Sequence, residues 1–230
     1  MSYCPTRTVV AVTALSAALL SGVPAAAQPQ ANGCGDLANA FGPYDYRTER
    51  GNNLWLVEST HFKPDMEALI RGLRGSPVGS ELDYTLRAFP NHHRALVSMM
   101  RLGEKQKTTQ PVGARYSVEC YFDRALRFRP DDTIARMLYA RFLSKNNRDA
   151  EAIKQLEAAV STAGDNAFTY YNIGLIYFDM KLYDRAAAQA RKAAALGFER
   201  PDLRVSLQQV GKWVDADVAN APPPGASSPP

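Results

Sequence analysis

The sequence predicts an all-α fold: about three stacked helix pairs, a C-terminal capping helix and an irregular N-terminal segment. Two observations predict it. Apolar and small residues recur 34 positions apart: Ala125, Ala159 and Ala193; Ala152 and Ala186; Ala140 and Gly174; Tyr139 and Ile173; Leu143 and Tyr177; Phe122, Leu156 and Ala190. One shared period of this length marks a stack of helix pairs, each burying a face against the next. Between these recurrences the apolar residues fall at helical spacing, and the breaks carry proline, glycine, asparagine or aspartate.

Bulk properties narrow the class. The 230 residues suggest one or two domains, and 46% hydrophobic content is ordinary for a globular protein. Residues 1–27 read as an address rather than structure. Arg7 supplies a short positive region, and Val9–Leu20 is an uncharged apolar run too short to span a bilayer comfortably. Ser21–Pro24 breaks the run, and Ala25–Ala27 offers small residues for cleavage near Gln28. An uncleaved anchor is the alternative. Cys34 lies seven residues past Ala27, away from a lipoprotein-type position, and no later run has 18 consecutive apolar residues. The mature chain is therefore expected to be exported, to the periplasm above all, with no transmembrane segment. Without the leader it carries 26 basic and 23 acidic residues, a net +3. That is too weak to argue for nucleic acid, whose dedicated binding domains show a denser basic stripe.

Export changes the cysteine arithmetic. Cys4 leaves with the leader, so Cys34 and Cys120 remain as an even pair in an oxidising compartment and are expected to bond. Two separately buried thiols are the alternative. The bond would tie the irregular N-terminal segment to the first strong repeat. Closing a loop of about 86 residues contributes about 4–5 kcal/mol in the chain-entropy model. No Cys-x-x-Cys is present, which argues against a thioredoxin-like role.

The elements follow in order. Gln28–Asn32 is expected to be flexible. Cys34–Arg47 is punctuated by a Gly42-Pro43 turn, and Phe41, Tyr44 and Tyr46 give it bulk to pack on the repeats. Leu54–Glu58 reads as a short extended piece. Pro64 opens a helix through Met66, Leu69, Ile70 and Leu73, and Gly72, Gly75 and Gly79 stop it and form a loop. Glu81–Phe89 reads as a helix with Leu82, Thr85, Leu86 and Phe89 on one face. It ends before Pro90, as the helix through Phe128 ends near Pro130, because proline disfavours the helical region for the residue before it. Asn91 and Asp131 are the expected N-caps of His92–Lys107 and Asp131–Lys145. Thr108–Gly113 is a polar connection longer than the matching turns at Asn146-Asn147 and Lys181-Leu182. Ser117–Phe128, Ala150–Ala163, Ala167–Met180 and Asp184–Leu196 complete the pairs, with Asp165-Asn166 as a turn and Gly197 as a stop. Pro201–Asp217, striped by Leu203, Leu207, Val210 and Val214, reads as the terminal cap that such arrays need for solubility. Ala221–Pro230 holds five prolines and reads as a disordered tail. The implied division is a leader 1–27, an N-terminal segment 28–80, a repeat domain 81–217 and a tail 218–230.

These residues resemble the tetratricopeptide repeat (TPR) family. The clearest unit is Ala167–Gly197, through Tyr170, Ile173, Gly174, Tyr177, Tyr183, Ala186 and Ala193. The unit from Thr133 matches through Tyr139, Ala140, Leu143, Ala152, Leu156 and Ala159, and His93–Pro130 through Leu96, Phe122, Ala125 and Pro130 with an insertion in its internal turn. Glu81–Pro90 resembles half of a degenerate preceding unit. The resemblance covers about half of the mature chain. It implies partner binding in a groove lined by the first helix of each pair. Carried over by position, that face holds Arg94, Val97, Arg101, Glu104 and Lys105, then Ile134, Met137, Arg141, Ser144 and Lys145, then Phe168, Tyr171, Leu175, Phe178 and Asp179, with Asn172 beside them. The groove runs from cationic to aromatic, which suits a partner with an acidic and an apolar portion. The family's carboxylate clamp needs lysine, asparagine and arginine positions of which only Asn172 and Arg141 fit, so chaperone-tail binding is not expected. The alternative is that the charges form a solvated face and the aromatics pack against the cap helix.

Catalytic signals are sparse. No Cys-x-x-Cys-His, Gly-rich phosphate loop, Gly-x-Ser-x-Gly or His-Glu-x-x-His occurs, and no cofactor is expected. Adjacent His92 and His93 point about 100° apart on a helix, so they share no ligand face, and they read as a helix start. Asp131-Asp132 likewise reads as a helix start rather than a catalytic dyad. Arg115, Arg124, Arg127 and Arg129 are read either as a solvated helix face or as a contact for an anionic partner. The leading expectation is an exported, non-enzymatic scaffold that binds a protein or peptide in an envelope assembly such as a secretion machinery. A metal-binding protein or enzyme with a site in 34–93, around His61, is the runner-up. A cell-wall glycan binder using Tyr44, Tyr46 and Trp55 is third.

Overall fold

The computed structural model describes residues 1, 33–198 and 200–213. The expected leader, Gln28–Asn32, Val214 and the proline-rich tail lie outside the described residues. Among the described residues there are ten α-helices and no strand, so the chain is all-α. They are α1 (Asn52–His61), α2 (Pro64–Glu67), α3 (Val78–Ala88), α4 (His93–Gln106), α5 (Val118–Phe128), α6 (Thr133–Lys145), α7 (Asp149–Thr162), α8 (Ala167–Asp179), α9 (Tyr183–Ala195) and α10 (Pro201–Gln209).

Local signals repeat with the register of the sequence. Helices α4, α6 and α8 are capped by His92, Asp132 and Asn166, whose side chains accept from the N–H of Ala95, Ala135 and Thr169. Each helix is followed by a left-handed residue fifteen positions after its cap: Lys107 at φ 51°, Asn147 at φ 59° and Lys181 at φ 61°. In each case the next N–H bonds back to a carbonyl five residues earlier: Thr108 to Gly103, Arg148 to Leu143 and Leu182 to Tyr177. This closing bond satisfies one of the orphan carbonyls at the helix end. The caps stand 40 and then 34 residues apart, so the first unit carries six extra residues. They sit in the α4–α5 loop, which bonds to itself: Gln110 Nε2 donates to the carbonyls of Ala114 and Arg115, and the Val118 N–H to that of Thr109.

The same register sets the packing. Helix α6 folds back on α7 and α8 on α9, while α4 packs on α6, α6 on α8, and α10 on α8 and α9. The residues spaced 34 apart are the core: Ala125, Ala140, Ala152, Ala159, Ala186 and Ala193 are fully buried, and Phe122, Leu143, Leu156, Ile173 and Tyr177 nearly so. Small residues let helices approach, and the large ones fill the space between turns. Half-buried Tyr139 and Phe142 pack against both the core of residues 62–135 and that of residues 137–207, joining them.

The N-terminal block departs most from expectation. Leu54–Glu58 is helical, inside α1, and Val57 is its one buried residue, packed with Phe89 and Ala88. Its weak amphipathicity hid the helix, because α1 is held by a few contacts rather than by a stripe. Helix α2 stops after one turn: Leu69 turns left-handed at φ 60°, which leaves Ile70 exposed and Leu73 in a separate short 3-10 turn. Gly79 lies within α3 rather than in a loop. A Cβ there would stand 2.3 Å from the Val112 carbonyl, so the close approach of α3 to the inserted loop requires glycine. The expected caps Asn91 and Asp131 each lie one residue early. Asn91 instead buries its amide between Asp45, Asp132 and the Tyr46 N–H. Helix α10 ends at Gln209, with Gly211 left-handed at φ 68°, short of the expected Asp217.

Cys34 and Cys120 are joined, with Cα atoms 5.0 Å apart. The bond anchors residues 33–47 to α5, and arginines reinforce it. Arg124 is 1% exposed and donates to the carbonyls of Cys34 and Asp36, under the ring of Tyr116; Arg127 donates to that of Gly35. Arg129 pairs with Asp45 and Asp131. Arg115 and Arg127 are exposed as a solvated face would be, but Arg124 is buried. Three arginines of the basic segment hold the chain's own N-terminal strap.

Candidate functional site

Two features of the described residues have the density of a site: a polar network under the strap, and a groove along α4, α6 and α8. The network links the strap to the starts of α4 and α6. Asp132, fully buried, accepts from Asn91 Nδ2, His93 Nε2 and the Ala135 N–H. Burial pushes its carboxyl up, but these donors together hold it below the usual carboxylate range. Asp45 behaves alike: bonds from Arg47 and Asn91 overcome its desolvation and lower it. His92 stacks on Tyr46 with centroids 4.1 Å apart and gives its Nε2 to Glu58 at 3.0 Å. His61 meets Glu81 at 2.7 Å and stacks on Tyr84. Each histidine thus has its own carboxylate partner: Glu81, Glu58 and Asp132. Among the described residues no group of three or more His, Cys, Asp or Glu is placed to hold a metal ion. The network closes donors onto acceptors inside the chain and works as a clamp. Tyr44 and Tyr46 belong to it, packed on Phe89 and His92, while Trp55 stands exposed on α1.

The groove is different, because its groups point outward. Between α6 and α8 lies a cavity of about 250 Å³ lined by Ile134, Met137, Leu138, Arg141, Phe168, Asn172, Leu175, Ile176 and Asp179. Phe168 is 54% exposed and Ile134 37%, large apolar groups open at its mouth. Asn172 lines the cavity half-buried, and its Nδ2 donates to the Phe168 carbonyl. Arg141 and Arg101 are exposed, and neither has an ionic or hydrogen-bonding partner among the described residues.

The other residues of that face lie elsewhere. Arg94 pairs with Glu67 and Glu58, and Lys145 with Glu104 at 2.7 Å across the α4–α6 boundary. Tyr171 is buried against Phe198, and Phe178 packs on Tyr183 at 5.1 Å. Ion pairing engages Arg94 and Lys145, and helix geometry turns Tyr171 and Phe178 of α8 inward. At about 100° per residue, positions two, six, nine and thirteen after the cap span about 60°, whereas five and twelve rotate toward the partner helices. Tyr171 and Phe178 hold the five and twelve positions of α8. Tyr171 instead opens on a second cavity, of about 480 Å³, with Phe198, Leu203 and Trp213 against α10.

No helix of the described residues is long and apolar enough to cross a membrane. No protein-family model matches the chain, and no curated protein matches it.

Proposed function

We propose that this protein is an exported, non-enzymatic scaffold of tetratricopeptide type, whose α4–α6–α8 face binds a protein or peptide segment in a cell-envelope assembly. The observation that carries the reading is the groove between α6 and α8, where Phe168 and Ile134 stand open beside Arg141, which has no ionic or hydrogen-bonding partner among the described residues. Large apolar side chains left exposed in a concavity, with a cation at the rim, suit an anchor residue and an acidic neighbour. The repeated caps, left-handed stops and buried alanines support the repeat-family reading, and the uncharged run 9–20 with Ala25–Ala27 supports export. The His92 and His93 pairs pack on Tyr46 of the strap and the His61–Glu81 pair joins α1 to α3, which disfavours the reading of a reactive centre there.

Capture of the mature chain from cross-linked envelope, read by mass spectrometry, should return a discrete partner. Arg141→Glu and Phe168→Ala should each lose it while keeping the helical circular dichroism and unfolding midpoint. A partner held equally by wild type and both variants would overturn the groove assignment.

A further inference from the structure

The register of the caps equates positions on neighbouring helices. Nine residues after each cap stand Arg101 on α4, Arg141 on α6 and Leu175 on α8. Two positions after each cap stand Arg94, Ile134 and Phe168. The Lys145–Glu104 pair crosses from α6 to α4 at nearly equivalent positions, and the α6–α8 cavity brings equivalent residues of those two helices together, while Arg101 on α4 lines a neighbouring cavity with Glu67, Leu69 and Glu104. One row therefore reads cation, cation, apolar across three packed helices. Among the described residues its two arginines have no ionic or hydrogen-bonding partner, while Arg94, Lys105 and Lys145 around them are engaged with Glu67, the Leu69 carbonyl and Glu104.

Spacing then selects the ligand. Packed helices lie about 8–10 Å apart. A polyproline II chain has three residues per turn and rises about 3.1 Å per residue, so one face returns every ~9.3 Å. A β-strand returns to one face every two residues, about 6.6 Å, which falls short of the row and slips out of register. We propose, resting on the scaffold reading above, that the groove takes a segment in polyproline II conformation. It presents carboxylates at positions i and i+3 to Arg101 and Arg141, and an apolar side chain at i+6 to the Leu175–Phe168 cavity. Preformed polyproline II chains lose little entropy on binding, and guanidinium groups grip carboxylates with paired bonds.

Fluorescence anisotropy on the mature chain tests this with labelled heptapeptides. Glu-Pro-Pro-Glu-Pro-Pro-Leu should bind about tenfold tighter than its isomer Glu-Pro-Glu-Pro-Pro-Pro-Leu, the worth of one well-made charged contact. Arg101→Glu and Arg141→Glu should each remove that preference, and the double variant should accept Lys-Pro-Pro-Lys-Pro-Pro-Leu instead. Equal affinity for the two isomers, or saturable binding of neither, overturns the proposal. If partner capture still depends on Arg141 and Phe168 in that case, the scaffold reading stands and only the spacing falls. If capture is indifferent to both residues, the scaffold reading fails as well.

Discussion

His92 makes two hydrogen bonds that only its neutral form can make together. Its Nδ1 accepts from the Ala95 N–H at 3.2 Å, which places the ring proton on Nε2, facing Glu58. Burial lowers its pKa below the ordinary 6.5; Glu58 opposes the shift, and Arg94 and His93 add to it. The unfolded chain therefore takes up this proton first. The stability tied to His92 is complete above about pH 6.5 and declines as pH falls toward the folded value. The urea midpoint should drop as pH falls below about 6.5. His92→Asn keeps a capping acceptor without a titrating ring and should flatten that drop; an unchanged slope would reject the assignment. The carboxylates of Asp45, Asp132 and Glu58 are held below their usual range, so a further loss is expected below about pH 4, as they protonate. A second residue-scale case is Gly79. Alanine is the better helix former, yet its Cβ would meet the backbone carbonyl of Val112. Gly79→Ala should therefore destabilise by about 1–3 kcal/mol, read as a fall in the urea midpoint at constant slope.

Elements in this chain are held in two ways. Helices α6 to α9 bury an apolar register against one another, so their bounds follow from sequence periodicity. The strap 33–47 has no such register and is held by carbonyl–guanidinium bonds, the disulfide and the polar network. Removing the disulfide with Cys34→Ser and Cys120→Ser should cost about 2–5 kcal/mol. Arg124→Met leaves the Cys34 and Asp36 carbonyls without their donor and should cost about 1–3 kcal/mol. Hydrogen exchange distinguishes the two losses. In Arg124→Met, faster exchange should be confined to residues 35–47 and the end of α3, where the Tyr44 N–H bonds the Ala88 carbonyl. Acceleration spread evenly over α6–α9 would show that the strap is not a separate unit.

Across the whole molecule, cooperativity passes through few side chains. Phe122, Tyr139 and Phe142 stack at 5.3 to 6.3 Å where the two larger cores meet. Phe142→Ala should cost about 3 kcal/mol, the low end for phenylalanine truncation, because the ring is only half-buried. It should also separate unfolding into two transitions, the N-terminal core and the α6–α10 core. Calorimetry reads this as a van't Hoff enthalpy below the calorimetric one. Coincident enthalpies in the variant would place the coupling elsewhere. In the same arrangement α4 packs on α6 and α6 on α8, which a groove reading three helices at once requires.

The 34-residue recurrence, together with helical spacing and the breaks between, located α5 through α9, the stops near Asn147 and Lys181, and the small residues at each close approach. Those features are repeated, and repetition turns weak local preferences into one consistent pattern. The even cysteine pair likewise pointed to the bond that the structure contains. Three things were decided only in three dimensions. Helix α1 and the strap lack periodicity, because single contacts such as Val57 with Phe89 and Arg124 with two carbonyls hold them. The basic residues of α5 read as a solvated face or a contact for a partner, but the neighbours of Arg124 and Arg127 come from about 90 positions earlier in the chain, beyond any local signal. Within the groove, residue type suggested cationic and aromatic character. Helix rotation and the neighbours across the boundary then left Arg141, Ile134 and Phe168 open in the α6–α8 cavity and Arg101 exposed on α4, while turning Tyr171 and Phe178 inward. Period is a one-dimensional property that a chain can carry alone, whereas exposure depends on what folds back against each face.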